Sequence, residues 1–219
     1  MFDSNSDGPN FGWYGKLPSA GDFVSRRMPY PLQQFWDRWC AAGLESLKER
    51  NPVSGWALWG KMPKWAFILP MQPGLPVAQL GVLAPSCDRV GRNYPLLITT
   101  PILDSNALSI LPRAATIAIA WAQVIEEAHR DRASVDHFDA QLAQAFAREL
   151  VKEAVVQEGE VTLPPGESPS TLPWPALSET FELKASESYW WSVPPAGTGF
   201  RARTHNGALN TIHFFNLHT

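Results

Sequence analysis

Residues 83–101, LAPSCDRVGRNYPLLITTP, hold the densest group of side chains able to do chemistry. Ser86, Asp88, Arg89 and Arg92 stand between two apolar runs, where a short turn of Gly, Asn or Ser would connect neighbouring strands at less cost. Ser86 and Asp88 can turn their oxygens onto nearby backbone donors, and Gly91 can take a conformation closed to bulkier residues. The arginines supply planar forks for a carboxylate or a phosphate. Three uses fit this elbow. It can be an internal brace, with Asp88 paired to Arg89 or Arg92, or an arginine reaching Asp22. It can be a surface that a protein partner reads. It can be a pocket for a small anion or substrate centred on Arg89 and Arg92, with Lys16 and Asp22 drawn in if the loop after residue 15 folds against the elbow at one end of a sheet.

Reaction-ready patterns are otherwise missing. Gly15 and Lys16 precede Leu17, so the phosphate-cradling loop that needs Ser or Thr after the lysine is not formed. There is no G-x-S-x-G nucleophile turn and no G-x-G-x-x-G dinucleotide fingerprint. The five histidines make no H-x-x-x-H pair, and Cys40 and Cys87 are not at zinc spacing. No catalytic residue, metal or cofactor is therefore assigned, and the two cysteines read as free thiols of a reducing compartment.

Ten tryptophans raise a second possibility, because Trp is prominent among residues that dominate protein interfaces. Trp190 and Trp191 are adjacent and must point to opposite faces of any strand they share, so one of them is either beneath a helix or available to a partner. Trp190 joins Lys16, Asp22, Ser86, Asp88, Arg89 and Arg92 as a candidate contact for a partner or anion.

Bulk properties narrow the class. With 219 residues, 45% of them hydrophobic, one domain with a sizeable core is the simplest expectation. A net charge of −3 disfavours nucleic-acid binding, which depends on a basic face. The start of the chain, MFDSNSDGPN, lacks the basic and apolar segments of a secretory signal, and residues 1–10 read as a flexible tail. The apolar stretch 110–125 is interrupted by Pro112 and Arg113 and falls short of the ~20 residues of a membrane span. A cytoplasmic protein without membrane insertion is the expectation.

The positioning elements follow from periodicity. A strand opens FGWYGKLPSAGDF (11–23) and breaks at Pro18, Ser19 and Gly21. A helix over 31–50 places Leu32, Phe35, Trp36, Trp39, Cys40, Gly43, Leu44 and Leu47 on one stripe. Strands are predicted at 64–70, 77–85 and 95–101, the last two apolar throughout and so covered on both faces. Two helices, 107–131 and 134–157 with Ser134 as cap, form an antiparallel hairpin. The proline-rich stretch 162–179 reads as a long surface loop, and 188–193, 199–204 and 211–217 as strands, with a turn at Asn206 and Gly207. The fold expected is α/β: a single-domain layered sandwich over 11–219, with a mixed central sheet flanked by helices.

Four ordered motifs carry a resemblance. GWYGKLPSAGDF (12–23), FWDRW (35–39), PSCDRVGRNYPL (85–96) and SYWW (188–191) resemble the TagF/ImpM family of type VI secretion accessory proteins, strongly over about 11–102 and thinly beyond. Tyr94 stands where many relatives carry Phe. The resemblance implies a bacterial, non-enzymatic, post-translational repressor of a type VI secretion system that acts by protein binding, through a forkhead-associated scaffold and alongside a kinase and phosphatase switch. Some family members are fused to the phosphatase, and this chain has no room for that domain. It establishes no catalytic residues. The alternative from the residues themselves is a small-anion or phosphate-binding protein or enzyme centred on Ser86–Arg92.

Overall fold

The computed structural model describes residues 10–50, 59, 62–152, 172–174, 176–193 and 199–217. Its strands are β1 (Gly12–Gly15), β2 (Val24–Arg26), β3 (Lys64–Leu69), β4 (Ala78–Ala84), β5 (Leu96–Ile102), β6 (Glu187–Val193) and β7 (Ala202–Asn206). Its helices are α1 (Tyr30–Arg50), α2 (Ala107–Ile110), α3 (Ala114–Asp131), α4 (Val135–Val151), α5 (Leu177–Thr180) and α6 (Thr211–Leu217), with one 3₁₀ turn at Leu111–Arg113. The strands form one sheet in the order β2-β1-β5-β4-β3-β6-β7.

The α/β layered sandwich is the architecture expected, and the sheet differs in one respect: every pairing is antiparallel. The reason is connectivity. Strands β3, β4 and β5 follow one another through short links, which suffice for antiparallel neighbours, whereas a parallel pair needs a long crossover.

Strand alternation divides the core in two. Ala66, Ile68, Leu80, Val82, Ile98 and Trp191 face α3 and α4, where Ile117, Trp121, Ile125, Phe138 and Phe146 meet them. Trp65, Phe67, Leu69, Leu83, Leu97 and Trp190 face α1 and α6, where Trp36, Trp39, Leu47, Phe214 and Leu217 meet them. Both faces of β4 and β5 are covered, so no residue of either strand reaches solvent. The rings crowd the α1 face so closely that Gly81 and Gly43 have no room for a side chain. A Cβ at Gly81 would lie 2.3 Å from Phe67, and one at Gly43 2.1 Å from Phe214.

The helical hairpin forms as expected. Helix α3 ends at Arg132 in a left-handed cap, and the Ser134 hydroxyl accepts from the His137 amide to start α4. Residues 107–131 make the one helical stretch among the described residues long and apolar enough to cross a bilayer; 61% of its most apolar window is buried within the protein. Cys40 and Cys87 are free thiols.

Residues 211–217, expected as a strand, are a helix. Asn210 Oδ1 accepts from the His213 amide as an N-cap, and Phe214 and Leu217, three apart, share the buried side. β-branched and aromatic composition suggested a strand, but spacing and cap prevail. The tail, 1–9, and most of the proline-rich stretch, 162–171, lie outside the described residues; at the end of that stretch Leu172 and Leu177 pack into the core.

Candidate interaction site

Strands β1 and β5 are paired with Gly15 opposite Leu96, which brings the loop after β1 and the elbow before β5 to one end of the sheet. Gly15 sits at φ +141, and a Cβ there would lie 2.2 Å from the Pro95 carbonyl oxygen. Only glycine permits this approach. It delivers Lys16 into the elbow, where its ammonium lies 3.0 Å from Asp88 Oδ2 and 3.3 Å from the Arg92 carbonyl.

Asp88 organises both loops. Its side chain is wholly buried, and Oδ1 accepts from the amides of Val90 (3.1 Å) and Arg92 (2.9 Å). Oδ2 accepts from Lys16 and, at 2.7 Å, from Arg92 Nε. Burial by itself raises the Asp88 carboxyl; the Arg92 amide, Lys16 and the Arg92 side chain overcome it and hold the group well below the usual carboxylate range. The other Arg92 arm donates to the Gly21 carbonyl at 2.8 Å, and the Arg89 amide donates to the Ala20 carbonyl at 2.8 Å. Gly91, at φ +86, closes the turn.

Ser86 ties a third layer in. Its hydroxyl donates to the Lys16 carbonyl at 2.7 Å and meets His129 Nε2 of α3 at 2.9 Å, while Trp59 Nε1 donates to its carbonyl at 2.9 Å. With the hydroxyl proton directed at Lys16, the histidine is assigned as the donor to Ser86. Burial, then the Lys64 charge, partly opposed by Glu126, lower His129 to about 4, so the ring is neutral near pH 7. In this assignment the serine proton is directed at the Lys16 carbonyl and away from the base that would take it.

Helix α1 supplies a fourth support that the sequence reasoning missed. Asp37 Oδ1 accepts from the hydroxyls of both Tyr14 and Tyr94. Burial first, with Asp37 adding in both cases, raises both phenols, so they remain protonated donors. Phe23 stacks on Tyr14 and sets its edge against Tyr94. The signal for Asp37 was its place between Trp36 and Trp39: with both indoles on the buried stripe, the intervening carboxylate borders the core. Tyr94 thus has a use for its hydroxyl that Phe would lack.

The seven candidates separate by exposure. Lys16, Ser86 and Asp88 are buried components of the brace. Arg92 bridges inside and outside, with 61% of its side chain exposed. Asp22 and Arg89 are exposed; Asp22 accepts from the Phe23 amide at 2.8 Å and makes no ion pair among the described residues, so the anticipated arginine link to it is not formed. Trp190 is corrected: it is fully buried, its indole donating to Ser188 Oγ at 2.9 Å, and it offers a partner no surface. The exposed rim is Asp22, Phe23, Arg89 and Val90, the last 69% exposed.

An open groove runs between α1, at Ala41, Leu44, Glu45 and Lys48, and residues 91–94. Its Glu45 and Lys48 lie 3.3 Å apart as an exposed ion pair, Arg92 is turned onto Asp88, and Tyr94 directs its hydroxyl at Asp37. Among the described residues no three His, Cys, Asp or Glu cluster as metal ligands. For an anion, the trio keeps one net positive charge, but Lys16 and Arg92 both direct their donors at Asp88 and at backbone carbonyls within the elbow.

These features define an antiparallel-sheet α/β sandwich whose two signature loops are locked together at one end. The model of the TagF N-terminal domain, type VI secretion system-associated, matches residues 12–145, more than half of the chain, and includes every part of that brace. The chain belongs to this family and is associated with type VI secretion. The crystal structure of PA0076 from Pseudomonas aeruginosa PAO1 is similar with a TM-score of 0.64 over 95% of this chain and 94% of that one, at 23% identity; it supports the fold along nearly the whole length. No curated protein matches.

Proposed function

We propose that this protein is a non-enzymatic accessory regulator that represses a bacterial type VI secretion system after translation, by binding a protein partner in the cytoplasm. The partner proposed is a forkhead-associated scaffold of the apparatus. The observation that carries this reading is the use made of the reactive side chains: Lys16, Ser86, Asp88 and Arg92 satisfy one another and fix two loops. Such a network holds a shape and leaves no group poised for bond making. What it presents is a rim of mixed character, Asp22, Phe23, Arg89 and Val90, suited to recognition by another polypeptide. Membership of a type VI secretion-associated family supports the setting.

The test is deletion of the gene in its native bacterium, with secretion and the levels of apparatus proteins measured together. Secretion should rise while those levels stay constant. Unchanged secretion overturns the repressor reading, and a rise matched by higher apparatus levels overturns the post-translational one.

A further inference from the structure

Strand β7 closes the sheet on the side away from the loops, and among the described residues no strand pairs with its outer edge. Two bonds fix which backbone groups face inward: the Ser192 amide donates to the Arg201 carbonyl, and the Gly207 amide donates to the Ser186 carbonyl, each at 2.8 Å. In an antiparallel ladder the inward groups alternate, so Arg201, Arg203, His205 and Gly207 face β6. The amides and carbonyls of Ala202, Thr204 and Asn206 therefore point away from the sheet, and these three residues are exposed. The edge carries no proline and no bulge, devices by which proteins commonly blunt such strips.

Its charge selects what can cover it. Arg201 and Arg203 share one face, and neither forms an ion pair among the described residues. Arg203 lies over Trp65 and donates to the Asn216 carbonyl, while β6 contributes Ser188, Trp190 and Ser192 to that face and no carboxylate. Burial and then the Arg201 charge lower the Arg203 guanidinium, as expected of neighbouring unneutralised cations. A second copy of β7 would bring the same two arginines to the strip and add repulsion. An extended acidic segment would supply both missing backbone partners and missing charge.

We propose that the outer edge of β7 is a docking strip for an extended, carboxylate-bearing segment of a protein partner, which joins the sheet as a further strand. The strip is separate from the elbow and stands whether or not the repressor reading does.

The test uses the full chain and two synthetic blocked heptapeptides that alternate Val or Thr with Glu, or with Lys in the same places. Binding is followed at low salt by fluorescence anisotropy, and amide exchange is followed at residues 202–206. The acidic peptide should bind about tenfold more tightly than its lysine twin, with the preference shrinking as salt rises. Exchange should slow at Ala202, Thr204 and Asn206. Thr204→Pro removes an outward amide that the native ladder does not use and should abolish binding. Arg201→Glu keeps the backbone edge, cancels the charge of Arg203 and should erase the peptide preference, so the proposal remains testable if the proline variant does not fold. With the unsubstituted chain, binding of neither peptide, equal binding of both, or acidic binding without slowed exchange overturns the proposal. A concentration-dependent dimer that Arg201→Glu does not weaken would assign the strip to a second copy instead.

Discussion

The elbow at one end of this protein and the β7 edge at the other treat polar groups in opposite ways. At the elbow a buried carboxylate accepts four hydrogen bonds from Lys16, Val90 and Arg92, and little remains for a ligand to satisfy. At β7 the outward backbone groups and Arg201 are left to solvent, and half-buried Arg203 has no carboxylate partner among the described residues. Polar density alone therefore does not mark a binding surface; what matters is whether the polar groups have already found one another. A satisfied network acts through the shape it holds, and an unsatisfied strip acts through the bonds it lacks.

Substitutions should break the two ends very differently. Asp88→Ala leaves the Lys16 ammonium buried without its counter-ion and should cost about 3–5 kcal/mol, seen as a large fall in the denaturation midpoint. Gly43→Ala drives a methyl group into the Phe214 ring and should cost about 1–3 kcal/mol by loosening α6 from α1, with cleavage by protease appearing first near the C-terminus.

Acid should separate the supports of the elbow from one another. His129 is lowered from an ordinary 6.5 to about 4, so its contribution is complete above 6.5 and is lost as pH falls through that range. Asp88 is lowered from 3.8, so its contribution is complete above 3.8 and is lost only below it. Stability measured against pH should decline in two stages, and His129→Gln, which can still donate to Ser86, should remove the upper stage alone. At the other end, Arg201→Ala should change stability by less than about 0.5 kcal/mol, since its exposed side chain makes no ion pair among the described residues.

The sequence revealed the braced end better than the open one, for physical reasons. Ser86, Asp88, Gly91 and Arg92 are close in the chain and have demanding local chemistry, so the elbow was visible as a motif. The stripe of α1 and the apolar runs of β4 and β5 were visible because periodicity reports burial directly. Asp37 and His129 join the brace from helices 43 or more residues away from Ser86; the indole stripe marks Asp37 as bordering the core, but no local pattern tells which residues it or His129 meets. β2 has only three residues, too few for an alternating pattern. At the C-terminus, residues with strand propensity fold as α6 because Asn210 caps them and Trp39 and Gly43 receive Phe214. Trp190 looked available because a lone strand has two faces; only the helices on both sides show that neither is open.

The most direct test of the account is a double substitution on the rim, Arg89→Ala with Val90→Ser, in the native bacterium. It leaves every side-chain bond made by Asp88 in place. The account predicts an unchanged melting temperature together with loss of partner co-purification and a rise in secretion. Full repression by a stably folded variant would contradict it.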